Sequence, residues 1–165
     1  TSDGAILLSR KEYPAIMAAV INHQRAVEGD EIPVEAEIFK KSTQALARYY
    51  HYLYLLLDGQ REEAFSLISG LSEELDELTN EEYALILPEI ITVSCLQNLM
   101  DDGLSATAEI FFDEELNNPA FLRAHYLYRK HHGELAWAEG LHSSYLKALD
   151  GSPLFINKIE KSINI

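Results

Sequence analysis

The stretch TNEEYALILPEIITVSCLQNLMDDG, from Thr79 to Gly103, decides the fold. Thr79 and Glu82 have the spacing of a capping box, in which each side chain satisfies an amide that the first helical turn leaves without a partner. Tyr83, Ile86, Leu87, Ile90, Ile91, Val93, Leu96, Leu99 and Met100 then recur at helical spacing. Pro88 lies inside this run. Lacking an amide hydrogen, it is expected to kink the helix or to end one helix and begin another. Asp102-Gly103 reads as the break after it.

The same period extends in both directions. Towards the N-terminus, Ser9 and Glu12 form another capping box, opening a helix with Ile16, Ala19, Val20 and His23 that Gly29-Asp30 ends. Pro33 suits the first turn of a second helix, Val34 to Leu57. From Tyr49 to Leu57 that helix is apolar or aromatic on every side, which predicts burial. A third helix begins near Gln60, with Ser72 capping a continuation to Leu78. Towards the C-terminus, helices are expected from Ser105 to Leu116, Ala120 to His131 and Glu134 to Leu149, with a short last one from Ser152-Pro153 to Ile165. Only Ala5-Ile6-Leu7-Leu8 looks extended, too short a run to build a sheet. The expectation is an all-α fold of about seven helices in antiparallel hairpins, a bundle or a short stack, forming one domain over residues 1–165.

Leu55-Leu56-Leu57-Asp58-Gly59 is followed by Ala64 and Ile68, and Leu99-Met100-Asp101-Asp102-Gly103 by Ala108 and Phe112. Gly133, Ala138 and His142 repeat part of the pattern. A glycine ends a helix in the left-handed conformation, and a small residue early in the next helix permits close approach. Over these turns the chain resembles the tetratricopeptide helical-repeat family. Gly59 and Gly103 are 44 residues apart, whereas that family repeats at about 34. The resemblance implies a peptide- or protein-binding scaffold without catalysis.

The charge is segregated. The chain carries 27 acidic residues against 13 Lys and Arg, a formal charge of −14 in 165 residues. Between Glu62 and Leu122 lie 15 of those acids and no Lys, Arg or His, so this segment holds −15 and the rest of the chain balances to +1. Solvated helix faces gain by mixing signs at i, i+4, a gain forgone here. Such a field speaks to association. It disfavours direct contact with a phosphate backbone, where attraction to cations dominates. The expected partner is a basic protein, captured by an inhibitor, an immunity-type protein or an adaptor. The residues expected to meet it are Glu73, Glu74, Asp76, Glu77, Glu81, Glu82, Asp101, Asp102, Asp113, Glu114 and Glu115.

Two other regions carry weaker signals. Tyr50 and Tyr54 share a helix face and form a possible groove, although aromatic stripes at helical spacing more often serve a core. His125, His131, His132 and His142 cluster beside Trp137 and Glu139. Glu139 and His142 have the i, i+3 spacing of di-iron bundles, but the second such pair is missing, so no metal and no cofactor are expected. His131 and His132 suit a helix C-terminus. These regions support the alternative of a metal- or small-ligand-binding helical protein. Nothing matches a phosphate loop, an HExxH helix, a nucleophile elbow or an EF-hand. With no long apolar run there is no expected membrane span. The one cysteine, Cys95, precludes an intramolecular disulfide, suits a reducing, cytoplasmic setting and is expected to be buried and inert.

Overall fold

The computed structural model describes residues 45–165, and the expectations for the helix at Ser9, the Pro33 start and the Ala5–Leu8 run fall outside them. Among the described residues there are seven α-helices, one 3-10 helix and no strand. These are α1 (Ala45–Leu57), α2 (Arg61–Ser69), η1 (Ser72–Glu77), α3 (Asn80–Leu96), α4 (Asp102–Phe112), α5 (Pro119–His131), α6 (Leu135–Asp150) and α7 (Leu154–Ile163). They divide into two compact units, one formed by residues 45–68 with 153–165 and the other by residues 69–152.

In the first unit, α1 behaves as its all-round apolar sequence requires. Tyr49, His51, Tyr52, Leu55 and Leu56 are buried, and no residue from 49 to 57 is exposed. The Ser162 hydroxyl of α7 donates to the Leu56 carbonyl. Gly59, at φ +77°, closes α1 in the left-handed conformation. The Gln60 amide then reaches back to the Leu55 carbonyl at 2.8 Å, which pairs a carbonyl the helix end would otherwise leave bare.

The second unit is built on α3. The capping box forms as its spacing demands: Glu82 N–H donates to Thr79 Oγ1 at 3.2 Å and Thr79 N–H to Glu82 Oε1 at 2.9 Å. Pro88, however, does not end the helix, which runs through it from Asn80 to Leu96. Interior proline costs about 3 kcal/mol or more. Ile86, Leu87, Ile90 and Ile91, on both sides of it, are at most 1% exposed. Each contributes roughly 1.5–3 kcal/mol by burial, so packing outweighs the lost hydrogen bond.

Three boundaries differ from expectation. The helix beginning at Asn80 stops at Leu96 rather than Met100, because Asn98 takes the left-handed position at φ +57° and Leu99 N–H returns to the Ser94 carbonyl at 2.7 Å. Gly103 therefore does not end a helix. It lies in the first turn of α4, whose N-cap is Asp101, accepting from Leu104 N–H at 2.7 Å. Ser72 does not cap a continuation of α2 either. The chain tightens into the separate 3-10 turn η1, and Ser72 Oγ donates to the Ser69 carbonyl.

Helices α4, α5 and α6 form antiparallel neighbours. Glu109, nearer the start of α4, meets Arg129 near the end of α5, while Phe112 at the end of α4 meets His125 and Phe121 further back along α5. Across α5 and α6, Arg129 meets Trp137 and Tyr126 meets His142 in the same sense. The turn between them is a glycine cap, Gly133 at φ +77°. Leu87, Ile91, Ala108, Phe111, Phe112, Phe121, Ala124 and Tyr128 form the continuous core of this unit. No described helix is long and apolar enough to cross a membrane.

Candidate functional site: an acidic groove beside two neutralised carboxylates

Two of the segment's acids are consumed internally, both by arginines of α5. Arg123 and Glu89 are 1% and 2% exposed and paired through Arg123 Nη2, while Arg123 Nε donates to Thr92 Oγ1 at 3.0 Å. Glu89 and Thr92 stand one turn apart on α3, so a single guanidinium spans both. Arg129 forks onto Glu109, with Nη1 to Oε1 at 2.7 Å and Nη2 to Oε2 at 3.0 Å, and Nη1 also reaches Glu134 at 3.1 Å. The Tyr128 hydroxyl donates to the same Glu109 oxygen at 2.9 Å. These bonds, the Arg129 fork above all, hold the Glu109 carboxyl below the usual carboxylate range. Burial, then the hydrogen bond to Glu109, pushes the Tyr128 phenol up to about 12.

Neither Glu89 nor Glu109 is among the eleven acids expected to meet a partner. Of those eleven, Glu73, Asp76, Glu77, Glu81, Asp101, Asp102, Asp113, Glu114 and Glu115 are exposed, and Glu74 and Glu82 are half-buried. Three come together. Glu73 and Asp76 on η1 and Asp101 at the start of α4 line one groove of about 530 Å³. The groove is completed by Ser69, Ser72, Leu75, Ser94 and the first turns of α4 around Leu104 and Thr107. Among the described residues that line it there is no Lys, Arg or His. Tyr83 ties one further acid, Glu114, to the side of the unit that holds Asp76. Burial raises its phenol above the ordinary value, and the carboxylates of Asp76 and Glu114 raise it further. The other acids hold local posts: Glu82 is committed to the Thr79 box and Asp113 is the C-cap of α4.

The groove's walls were not legible as site residues. Leu75, Leu99 and Leu104 have no polar signature, and their place follows from α3 ending at Asn98 rather than at Gly103. The one available signal was Asn98 itself, a residue that tolerates the left-handed conformation.

The histidines are absorbed into packing. His125 stacks on Phe112 with ring centroids 4.2 Å apart and accepts from Arg129 Nε at 3.0 Å. Burial, reinforced by Arg129, pushes its imidazole down to about 4, so it is neutral. His142 lies against Tyr126 at 4.7 Å. His131 and Lys130 occupy the last turn of α5 and His132 caps it, the placement that complements a helix dipole. Among the described residues, no three His, Cys, Asp or Glu side chains gather as a metal-binding group. Tyr50 and Tyr54 are both half-buried in the other unit, where burial and then Asp58 raise the Tyr54 phenol. Cys95 is half-buried rather than fully enclosed, and burial pushes its thiol up to about 12. Compared with known protein families, curated proteins and solved structures, the chain matches none.

Proposed function

We propose that this chain is a non-catalytic binding module that presents an acidic helical surface to a basic protein, in the manner of an inhibitor, an immunity-type protein or an adaptor. One observation carries the reading. Arg123 and Arg129, the two cations that pair with the segment through α5, are spent on Glu89 and Glu109, while Glu73, Asp76 and Asp101 converge on one groove with no Lys, Arg or His among the described residues that line it. Unscreened like charges destabilise the fold that holds them, so their retention fits a use in association. Carboxylates on an open rim steer encounter more than they fix affinity, and that steering weakens as salt shortens the screening length from about 10 Å at 0.1 M to about 3 Å at 1 M.

The test is affinity capture on the immobilised chain, with bound proteins identified by mass spectrometry. Basic proteins are expected to be retained at low salt, released at high salt, and lost when Glu73, Glu74, Asp76 and Glu77 are changed to Lys. Retention unaffected by those four changes refutes the reading. Stoichiometric metal surviving dialysis would favour the histidine-region alternative instead.

A further inference from the structure

The described lining of the groove between η1 and α4 is rich in hydrogen-bond acceptors and holds no cation. Glu73, Asp76 and Asp101 offer only acceptors. Asp101 spends Oδ1 on its helix cap and keeps a second oxygen. Two of its hydroxyls have their protons placed inside the fold and face the groove as acceptors: Ser72 Oγ donates to the Ser69 carbonyl at 2.8 Å and Thr107 Oγ1 to the Gly103 carbonyl at 3.1 Å, while Ser69 and Ser94 add hydroxyls that can serve in either sense. Beside these acceptors stand aliphatic walls. Leu75 and Leu104 are half-buried, and Leu99 is 59% exposed. A volume of about 530 Å³ falls within the range of roughly 300–1,000 Å³ typical of ligand clefts. What such a groove lacks is a group that brings several N–H donors, a positive charge and an apolar stem together. Arginine and lysine side chains are that group.

We propose that the groove seats a short basic segment of the partner protein, an arginine or lysine laying its methylenes on Leu75, Leu99 and Leu104 and directing its N–H groups to Glu73, Asp76 and Asp101. This rests on the acidic-surface reading above and assigns it a location. The complementarity is chemical on both counts: aliphatic stem against leucines, and donors against a lining rich in acceptors. Arginine is favoured over lysine because its planar fork meets paired carboxylate oxygens two at a time.

The test uses isothermal titration of the full chain with a blocked six-residue peptide of alternating arginine and alanine, and in a second arm with spermidine. The groove triple variant is Glu73→Gln, Asp76→Asn and Asp101→Asn, in which Asn keeps the helix cap. The control triple, Glu81→Gln, Glu114→Gln and Glu115→Gln, removes the same charge elsewhere on the acidic surface. The groove triple is expected to weaken peptide binding at least tenfold, the control less than threefold. Equal losses from both triples overturn the groove and leave the acidic-surface reading standing. No binding by the wild-type chain overturns both. Spermidine binding as tightly as the peptide overturns the assignment to a protein segment. Thr107→Arg provides the independent check, since it supplies the groove with its own guanidinium. It is expected to abolish peptide binding with no fall in Tm, and undiminished binding overturns the proposal.

Discussion

Changing Arg123 to Met isolates the energetics of the buried pair. The side chain is 1% exposed, and its removal takes the paired guanidinium from Glu89, itself 2% exposed, and the donor from the Thr92 hydroxyl. Breaking a buried ion pair by removing one member costs about 3–5 kcal/mol. Domains of this size are stable by only about 5–15 kcal/mol, so about a fifth or more of the margin is at stake. At roughly 2–4 °C per kcal/mol for chains of 150–250 residues, Tm is expected to fall by about 6–20 °C. The partner change is what identifies the cause. Adding Glu89→Leu removes the other member of the pair, and the double variant is expected to recover most of the loss, because apolar replacement of a buried ion pair is often neutral or stabilising. The assay is urea unfolding followed by fluorescence of Trp137, the chain's only tryptophan, which lies in the same unit as the pair. A single variant that loses less than about 1 kcal/mol, or a double variant no better than the single, refutes the reasoning, because either result means that the Arg123–Glu89 pair does not set the energetics of this site.

Two further outcomes follow from titrations. The His125 imidazole sits at about 4 in the fold, against roughly 6.5 when unfolded, so the unfolded chain binds its proton first. The stability that neutral His125 confers is complete above the unfolded value and drains as pH falls from 6.5 towards 4, with the Glu109–Arg129 fork yielding at still lower pH. Tm measured against pH is expected to slope downward through that window, and His125→Phe to flatten the slope. Cys95, its thiol moved from 9.0 to about 12, has on the order of a thousandfold less thiolate at neutral pH than an ordinary cysteine. Alkylation by iodoacetamide at pH 8 is expected to be negligible until urea unfolds the chain, and rapid labelling of the folded protein would contradict its burial.

Much of the helical architecture was written in local chemistry. Thr79 and Glu82, Asn118 and Pro119, Gly59 and Gly133 each act over three or four residues, and each marks a helix end in the structure. The failures come where a distant contact outranks a local rule. Of the two outcomes expected of Pro88, a kink or a break, the break does not occur, because Ile86, Leu87, Ile90 and Ile91 hold it inside α3 by packing that no local window contains. Gly103 attracted the reading of a helix end because glycine is the commonest residue there. Asn98 took that place five residues earlier and left Gly103 to the next helix. The acidic segment was legible as composition, but its pairing was not. Arg123 and Arg129 lie just past its boundary in sequence, and only the fold of α5 against α3 and α4 shows that they select Glu89 and Glu109 and pass over Glu73, Asp76 and Asp101. Nor could the sequence show that one of the clustered histidines, His125, is a neutral ring stacked on Phe112.

The proline within α3 has a consequence for how that helix opens. Its nitrogen leaves the Ala84 carbonyl without the usual rung, so the ladder is interrupted between the capped entry turn and the half that carries Glu89 and Thr92. The entry turn is closed by its box of Thr79 and Glu82 and the deeper half by the guanidinium from α5, so amide exchange is expected to reach the entry turn first. One rod in the assignment of elements is thus two segments in its breathing, divided at the residue that the sequence marked as a boundary.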